Sequence, residues 1–306
     1  MTLSSALPRT EAIVEAAIGL DTKTDAEVLE ALLDGQRRAI ESVSAAIPDL
    51  SRAAELGAEA LGNGGRLIYL AAGSPALMSL ADALEIPQTY GIAYDRIVLI
   101  LADGKTIATR LDGGREDDAE GARADVRAAN VGPGDCLIAT SASGTTPYTV
   151  EGLRAARAAG AKTVGIAGNA GSALLANAHV GVLLDTGPEV ISGSTRMGAG
   201  TAQKAALNML STLIGVRLNH TFDGMMVNVK ADNAKLRGRA ARIVTTITGA
   251  SAETAALALQ QSAGEVKPAI LIAAGAQSLA DAESLLGATN GDVRQALAQL
   301  GATVPR

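Results

Sequence analysis

The chain has 306 residues, 48% of them hydrophobic and 2% aromatic, with a formal net charge of −6 at pH 7. That length and apolar content allow a full core and one large domain plus a small one, and they exclude a disordered chain. The negative balance and the scarcity of aromatic rings remove the basic footprint and the stacking platforms that nucleic acid needs.

The first residues lack the charged start and continuous apolar run of a secretory signal, and no apolar stretch reaches membrane-spanning length, so a cytoplasmic protein without membrane contact is expected. The single cysteine, Cys136, lies in an apolar run and reads as a buried structural thiol. His179 and His220 have no second His or Cys at ligand spacing, so no metal site is expected and both read as structural.

From Thr24 to Gly62 apolar residues recur three and four apart (Val28, Leu29, Leu32 and Leu33, then Ile40, Val43 and Ile47), which predicts two helices. Short apolar runs then alternate with Ala-rich helical stretches, giving strands over 66–71, 96–101, 136–139, 163–167 and 180–184. This alternation predicts an α/β fold, a parallel sheet with both faces covered by helices. The stretch 198–218 is apolar on several faces and predicts a largely buried helix. Beyond Thr248 only helical pieces follow, over 251–261, 267–274, 278–286 and 291–300, which predicts a small helical domain. The expected division is a helical segment over 1–55, the sheet domain over 56–245 and the helical domain over 246–306.

The most informative stretch runs from Thr140 through Ser141, Ala142, Ser143, Gly144, Thr145 and Thr146 to Pro147, after a strand and before a helix over 148–159. Hydroxyls and free amides converge there on a helix N-terminus, where peptide dipoles favour an anion such as phosphate. Ordinary capping, with Thr146 as N-cap and Pro147 at the first helical position, accounts for part of the pattern. A P-loop is excluded because Leu99 stands where Gly104-Lys105-Thr106 would require glycine. Gly73-Ser74-Pro75-Ala76 does not supply a dinucleotide fingerprint, so no nicotinamide cofactor is expected. Glu85, late in the helical stretch after the first strand, and Glu116, in the polar segment 113–121 after the second, are candidate acid and base. Most of the 32 acidic residues are simply solvated. Ser192-Gly193-Ser194-Thr195-Arg196-Met197 and Lys204 follow the last strand and can bring hydroxyls and cations to the ligand edge of the sheet. A buried cation there needs an anionic partner.

Taken with Gly64–Leu70 (GGRLIYL) and Pro87–Gly91 (PQTYG), the motifs Ser143–Tyr148 (SGTTPY) and Ser192–Lys204 (SGSTRMGAGTAQK) resemble those of the N-acetylmuramic acid 6-phosphate etherases. These are sugar isomerase (SIS) proteins related to the glucokinase regulatory protein, and the similarity runs over essentially the whole chain. The resemblance implies a five-stranded SIS core, a C-terminal domain of the ubiquitin-associated type, a homodimer, and a place in peptidoglycan recycling with no cofactor. It further implies a carbon–oxygen lyase that removes the C2 proton of an amino sugar phosphate, expels lactate from C3 and adds water. In this register Glu85 protonates the departing lactate and Glu116 takes the C2 proton. Ser74, Ser141, Ser143, Gly144, Thr145, Thr146, Ser192, Ser194, Thr195, Arg196 and Lys204 line the sugar phosphate.

Three departures stand out. Gly73-Ser74-Pro75-Ala76-Leu77 replaces the family's G-T-S-G-R, and Ser143-Gly144-Thr145-Thr146-Pro147 replaces S-G-R-T-P. Val14 and Ala17 replace polar residues between Thr10-Glu11 and Asp21. Each lost charged hydrogen bond costs about 1.5–3 kcal/mol. The sequence therefore leaves two readings open: a lyase acting on this or a related sugar, phosphorylated or not, and a binding protein without turnover. The two retained glutamates favour the lyase.

Overall fold

The computed structural model describes residues 12–111, 113–229 and 234–302; Thr10 and Glu11 lie outside them. Contacts divide the chain into two units, one of residues up to Leu84 with Asp95–Thr212, the other of Glu85–Tyr94 with Leu213 onward.

The first unit opens with helices α1 (Asp25–Ala45) and α2 (Ile47–Gly62). A capping box starts α1: Glu27 N–H donates to Thr24 Oγ1 and Thr24 N–H to the Glu27 carboxylate at 2.9 Å. Strands β1 (Leu67–Ala71), β2 (Ile97–Leu101), β3 (Cys136–Thr140), β4 (Lys162–Ala167) and β5 (Val180–Leu183) fall within one residue of the predicted bounds at each end. They form one parallel sheet in the order β2-β1-β3-β4-β5. Between them lie α3 (Ser74–Tyr90), α4 (Ala119–Ala128), α5 (Pro147–Ala158) and the short α6 (Ala173–Asn177); α7 (Gly198–Arg217) follows β5.

Alternation along the strands decides which layer each side chain joins. Ile68 and Leu70 of β1 and Leu137 and Ala139 of β3 share a core with Val126 of α4, Leu153 of α5 and Leu174 of α6. Tyr69 takes the other face, where its hydroxyl donates to Asp82 of α3 at 2.7 Å. Asp82 also accepts from Asn208 (2.6 Å) and Ser211 (3.0 Å) of α7. At the opposite end of the strands Asp135 accepts from Arg66 N–H and Nε, both at 3.1 Å, from its terminal nitrogen at 2.7 Å, and from Gly132 N–H, locking β1 to β3.

The second unit contains a short hairpin, β6 (Thr221–Phe222) with β7 (Met225–Met226), and α8 (Ala234–Thr248), α9 (Ala252–Gln261), α10 (Val266–Ala273), α11 (Leu279–Ala288) and α12 (Val293–Gln299). Asp223 and Gly224 both have positive φ, 45° and 76°, as a tight two-residue hairpin turn requires. The helices close over Ile243, Val244, Ile270, Leu271 and Leu297, and Ser251, Ser278 and Asp292 cap α9, α11 and α12. Among the described residues no helix is long and apolar enough to cross a membrane.

Candidate active site

Strand order reverses between β1 and β3: from β1 the chain moves out to β2 and then returns to β3 on the other side. In open parallel sheets such a switch point leaves a crevice at the carboxyl ends of the two strands, where ligands bind. The segments that follow β1 and β3 are Gly73-Ser74 and Ser141–Thr146.

Ser141 is buried, and its Oγ accepts from Gly144 N–H at 3.0 Å and lies 3.0 Å from Thr146 Oγ1. Ser143 Oγ accepts from the amide and hydroxyl of Thr145, and Asn169, just beyond β4, donates its amide to Ser143 O at 3.0 Å. Gly144 has φ +74°, and a Cβ on it would collide with Ser172, so glycine is required on both counts. Thr146 occupies the N-cap position of α5, but its side chain forms no capping bond. It engages Ser141 instead, and capping therefore does not account for these hydroxyls. Thr140 Oγ1, Thr149 Oγ1 and Ser172 Oγ around the loop are buried without a hydrogen-bond partner among the described residues.

Glu116 joins this loop from the segment before α4. Its carbonyl accepts from Tyr148 N–H, in the first turn of α5, at 2.9 Å, and its carboxylate packs against Gly73. Burial pushes its pKa up, and the negative charges of Asp103 and Asp117 push it further. Arg115 holds the segment by donating to Ala102 O at 2.9 Å and to Asp125 at 3.1 Å, and it stacks 5.7 Å from the Tyr148 ring centroid. Tyr148 donates its hydroxyl to the same Asp125 at 2.7 Å.

The remaining predicted residues stand on α3, on the turns before α7 and on α7. Ser74 is the first residue of α3, and Glu85 is an exposed residue of the same helix. Ser192, Ser194 and Thr195 form turns ahead of α7, whose first amides, Gly198 and Ala199, donate to the buried Glu189 carboxylate at 2.9 and 2.8 Å. That helix terminus is thus satisfied from within the chain. Arg196 is exposed, which corrects the expectation of a buried cation at that position; it stays in water at no desolvation cost. Lys204 is half-buried on α7; burial raises the pKa of Asp82, and the Lys204 charge is the smallest of the effects that oppose that rise.

Cys136 is fully buried in β3 and burial pushes its thiol up to about 12, which leaves it inert. His179 Nδ1 pairs with Thr163 N–H at 3.1 Å. A cavity of about 740 Å3 runs along β2, lined by Leu80, Leu99, Leu101 and Ile107. Its lining is mostly apolar; Arg115 and Asp125 at its wall are bonded to each other, and Asp125 also accepts from Tyr148.

Residues 117–213 match the SIS domain family. The N-acetylmuramic acid 6-phosphate etherase of Deinococcus radiodurans is 44% identical over 292 residues, 95% of this chain and 95% of that protein. The etherase of Mycolicibacterium smegmatis is 41% identical over 91% of this chain and 93% of its own length. Among solved structures, a phosphoheptose isomerase from Francisella tularensis superposes with TM-score 0.47 at 18% identity, over 64% of this chain and 98% of that one. With such identity held over nearly its whole length, the chain belongs to the N-acetylmuramic acid 6-phosphate etherase family.

Proposed function

We propose that this protein is a carbon–oxygen lyase that releases D-lactate from N-acetylmuramic acid 6-phosphate by elimination followed by hydration. The observation that carries the reading is the Glu116 carboxylate packed against Gly73 after β1, while the Glu116 carbonyl accepts from Tyr148 N–H in the first turn of the helix that the Ser141–Thr146 hydroxyl loop leads into. Family membership supports it independently.

In this reading the 6-phosphate rests on the loop hydroxyls and the N-terminus of α5, with Ser74, the Ser192–Thr195 turns, Arg196 and Lys204 adding donors. Glu116 takes the proton from C2, alpha to the C1 aldehyde of the open-chain sugar. The electron pair forms the C2–C3 double bond, the C3–O bond breaks, and Glu85 gives its proton to the departing lactate oxygen. Water then adds at C3, returning a proton to Glu85, and C2 recovers its proton from Glu116. A carboxylate with a raised pKa is the stronger base for this step.

A second reading, in which the sugar carries no 6-phosphate, is supported by the first loop. Leu77 stands where the family resemblance places an arginine, and it packs against Ala71, Ala76, Leu101 and Ile107. Pro75 also lacks an amide donor. Incubating the protein with N-acetylmuramic acid and its 6-phosphate in oxygen-18 water, and following lactate and label at C3, tests both. Lactate and labelled sugar from the phosphate support the first reading, and from the free sugar alone the second. Binding without lactate from either overturns both in favour of a non-catalytic binder.

We further infer a homodimer working in cytoplasmic peptidoglycan recycling. Leu29, Leu33, Ile40 and Ile47 are 64%, 49%, 46% and 52% exposed at spacings that recur along the helical N-terminus, which supports a second copy covering them. Light scattering that gives a monomer mass would remove this assignment.

A further inference from the structure

The second unit contains a cavity of about 430 Å3, built from none of the residues of the switch-point crevice. Its walls include Gly91, Asn228, Gly264, Lys267 and, from α11, Glu283 and Leu286. Lys267 is 8% exposed. Its ammonium makes no hydrogen bond or ion pair with any described residue; the charge of Asp292 acts on it only through space. The nitrogen is placed by its neighbours. A Cβ on Gly291 would stand 3.0 Å from Nζ, so the ammonium lies beside Gly291, whose N–H donates to Leu286 O at 2.7 Å, and Lys267 and Leu286 both line the cavity.

A further observation points to a missing acceptor. Lys267 is the second residue of α10, an eight-residue helix whose N-cap, Glu265, supplies no side-chain bond. The first amides of a helix have no partner inside it, and their dipoles favour an anion. Burial and then the field of Lys267 push His220 down to about 4. A buried cation without an anion is costly, and a structural lysine at this position would be better replaced by an apolar residue.

We propose that this cavity is a ligand site for a compact oxyanion, a carboxylate or a phosphate group, received by the Lys267 ammonium and the first amides of α10. Glu265 and Glu283 are exposed carboxylates at the rim, screened by water and unfavourable to large polyanions. The site therefore suits a small anion.

The test uses the full chain in the Ser141→Ala background, which weakens the switch-point loop, with acetate and inorganic phosphate titrated at constant ionic strength against chloride. Amine acylation is read at Lys267 and, as a control, at the exposed Lys162 by peptide mass spectrometry. A saturable slowing, about tenfold near ten times the dissociation constant, at Lys267 alone supports the site. The anion that produces it identifies the class. In parallel, the same anions should raise the melting temperature, and Lys267→Met, which keeps the volume, should abolish that rise while remaining folded. Unchanged labelling by both anions, or an equal melting shift in Lys267→Met, would overturn the proposal.

Discussion

A Cβ placed on Gly73 would stand 2.7 Å from Glu116 Oε1, so the candidate base rests on bare backbone at the end of β1. Gly73 also has φ +61°, a left-handed conformation that costs other residues about 1–2 kcal/mol. Gly73→Ala therefore combines backbone strain with displacement of the carboxylate. Displacing a reacting group by an ångström costs about a hundredfold in rate. We expect kcat/KM to fall by at least about tenfold on that basis, with a lower melting temperature. Unchanged kinetics in a folded variant would separate Glu116 from the reaction.

The environment of Glu116 sets a pH signature. Burial, then Asp103, then Asp117, raise its pKa from 4.5. A base works when ionised, so the acidic limb of kcat/KM should inflect above 4.5, and Asp103→Asn, which removes a like charge, should move it to lower pH. Glu116→Gln should abolish the limb and reduce the rate by about 10²–10⁴. The stability contribution runs the other way: it is present below the unfolded value and lost as pH rises through the folded one.

Thr146 and Ser251 stand at N-cap positions but differ in use. Ser251 accepts from Thr254 N–H at 3.2 Å, whereas Thr146 faces Ser141. Ser251→Ala should cost about 1 kcal/mol of stability and leave catalysis alone. Thr146→Ala should cost less stability and raise KM for the phosphorylated sugar more than for the free one. Denaturant melts and paired kinetics distinguish the two, and equal KM effects on both sugars would exclude a phosphate contact.

What the sequence made legible follows from range. Strand bounds came out within one residue because short runs of buried apolar residues between turn signals are local, and the hydroxyl loop after β3 was visible because strand, loop and helix are contiguous. The Asp82 cluster was not visible, since Asn208 and Ser211 lie 126 and 129 residues away. The Glu189 cap of α7 and the Arg115–Asp125–Tyr148 cluster lie closer in sequence, 9 to 23 residues apart, but irregular segments separate the partners, so no periodicity links them and each carboxylate looks solvated. Asn169 was within reach, because a polar residue just after a strand is a candidate at any parallel sheet's ligand edge. The hairpin 221–226 was too short for periodicity, although Asp223-Gly224 carried its turn signal.

Asp82 and Asp135 give a final test, because both are buried and their pKa values move in opposite directions. At Asp135 burial alone would raise the pKa, but the Arg66 guanidinium and the Gly132 and Arg66 amides together lower it below 3.8. Its stabilisation is therefore present above the unfolded pKa and lost as pH falls through the folded one. At Asp82 burial dominates the bonds from Tyr69, Asn208 and Ser211, and the pKa rises. The titration of Asp82 accordingly removes stability as pH rises from 3.8 through its folded value. Asp135→Asn should cost about 2–4 kcal/mol near neutrality, since it strands the partly buried Arg66. That deficit should shrink only below about pH 4, whereas the deficit of Asp82→Asn should be largest in acid and shrink as pH rises. Denaturant melts of both variants across this range should show slopes of opposite sign. Parallel slopes would mean that the three donors around Asp82 outweigh its burial.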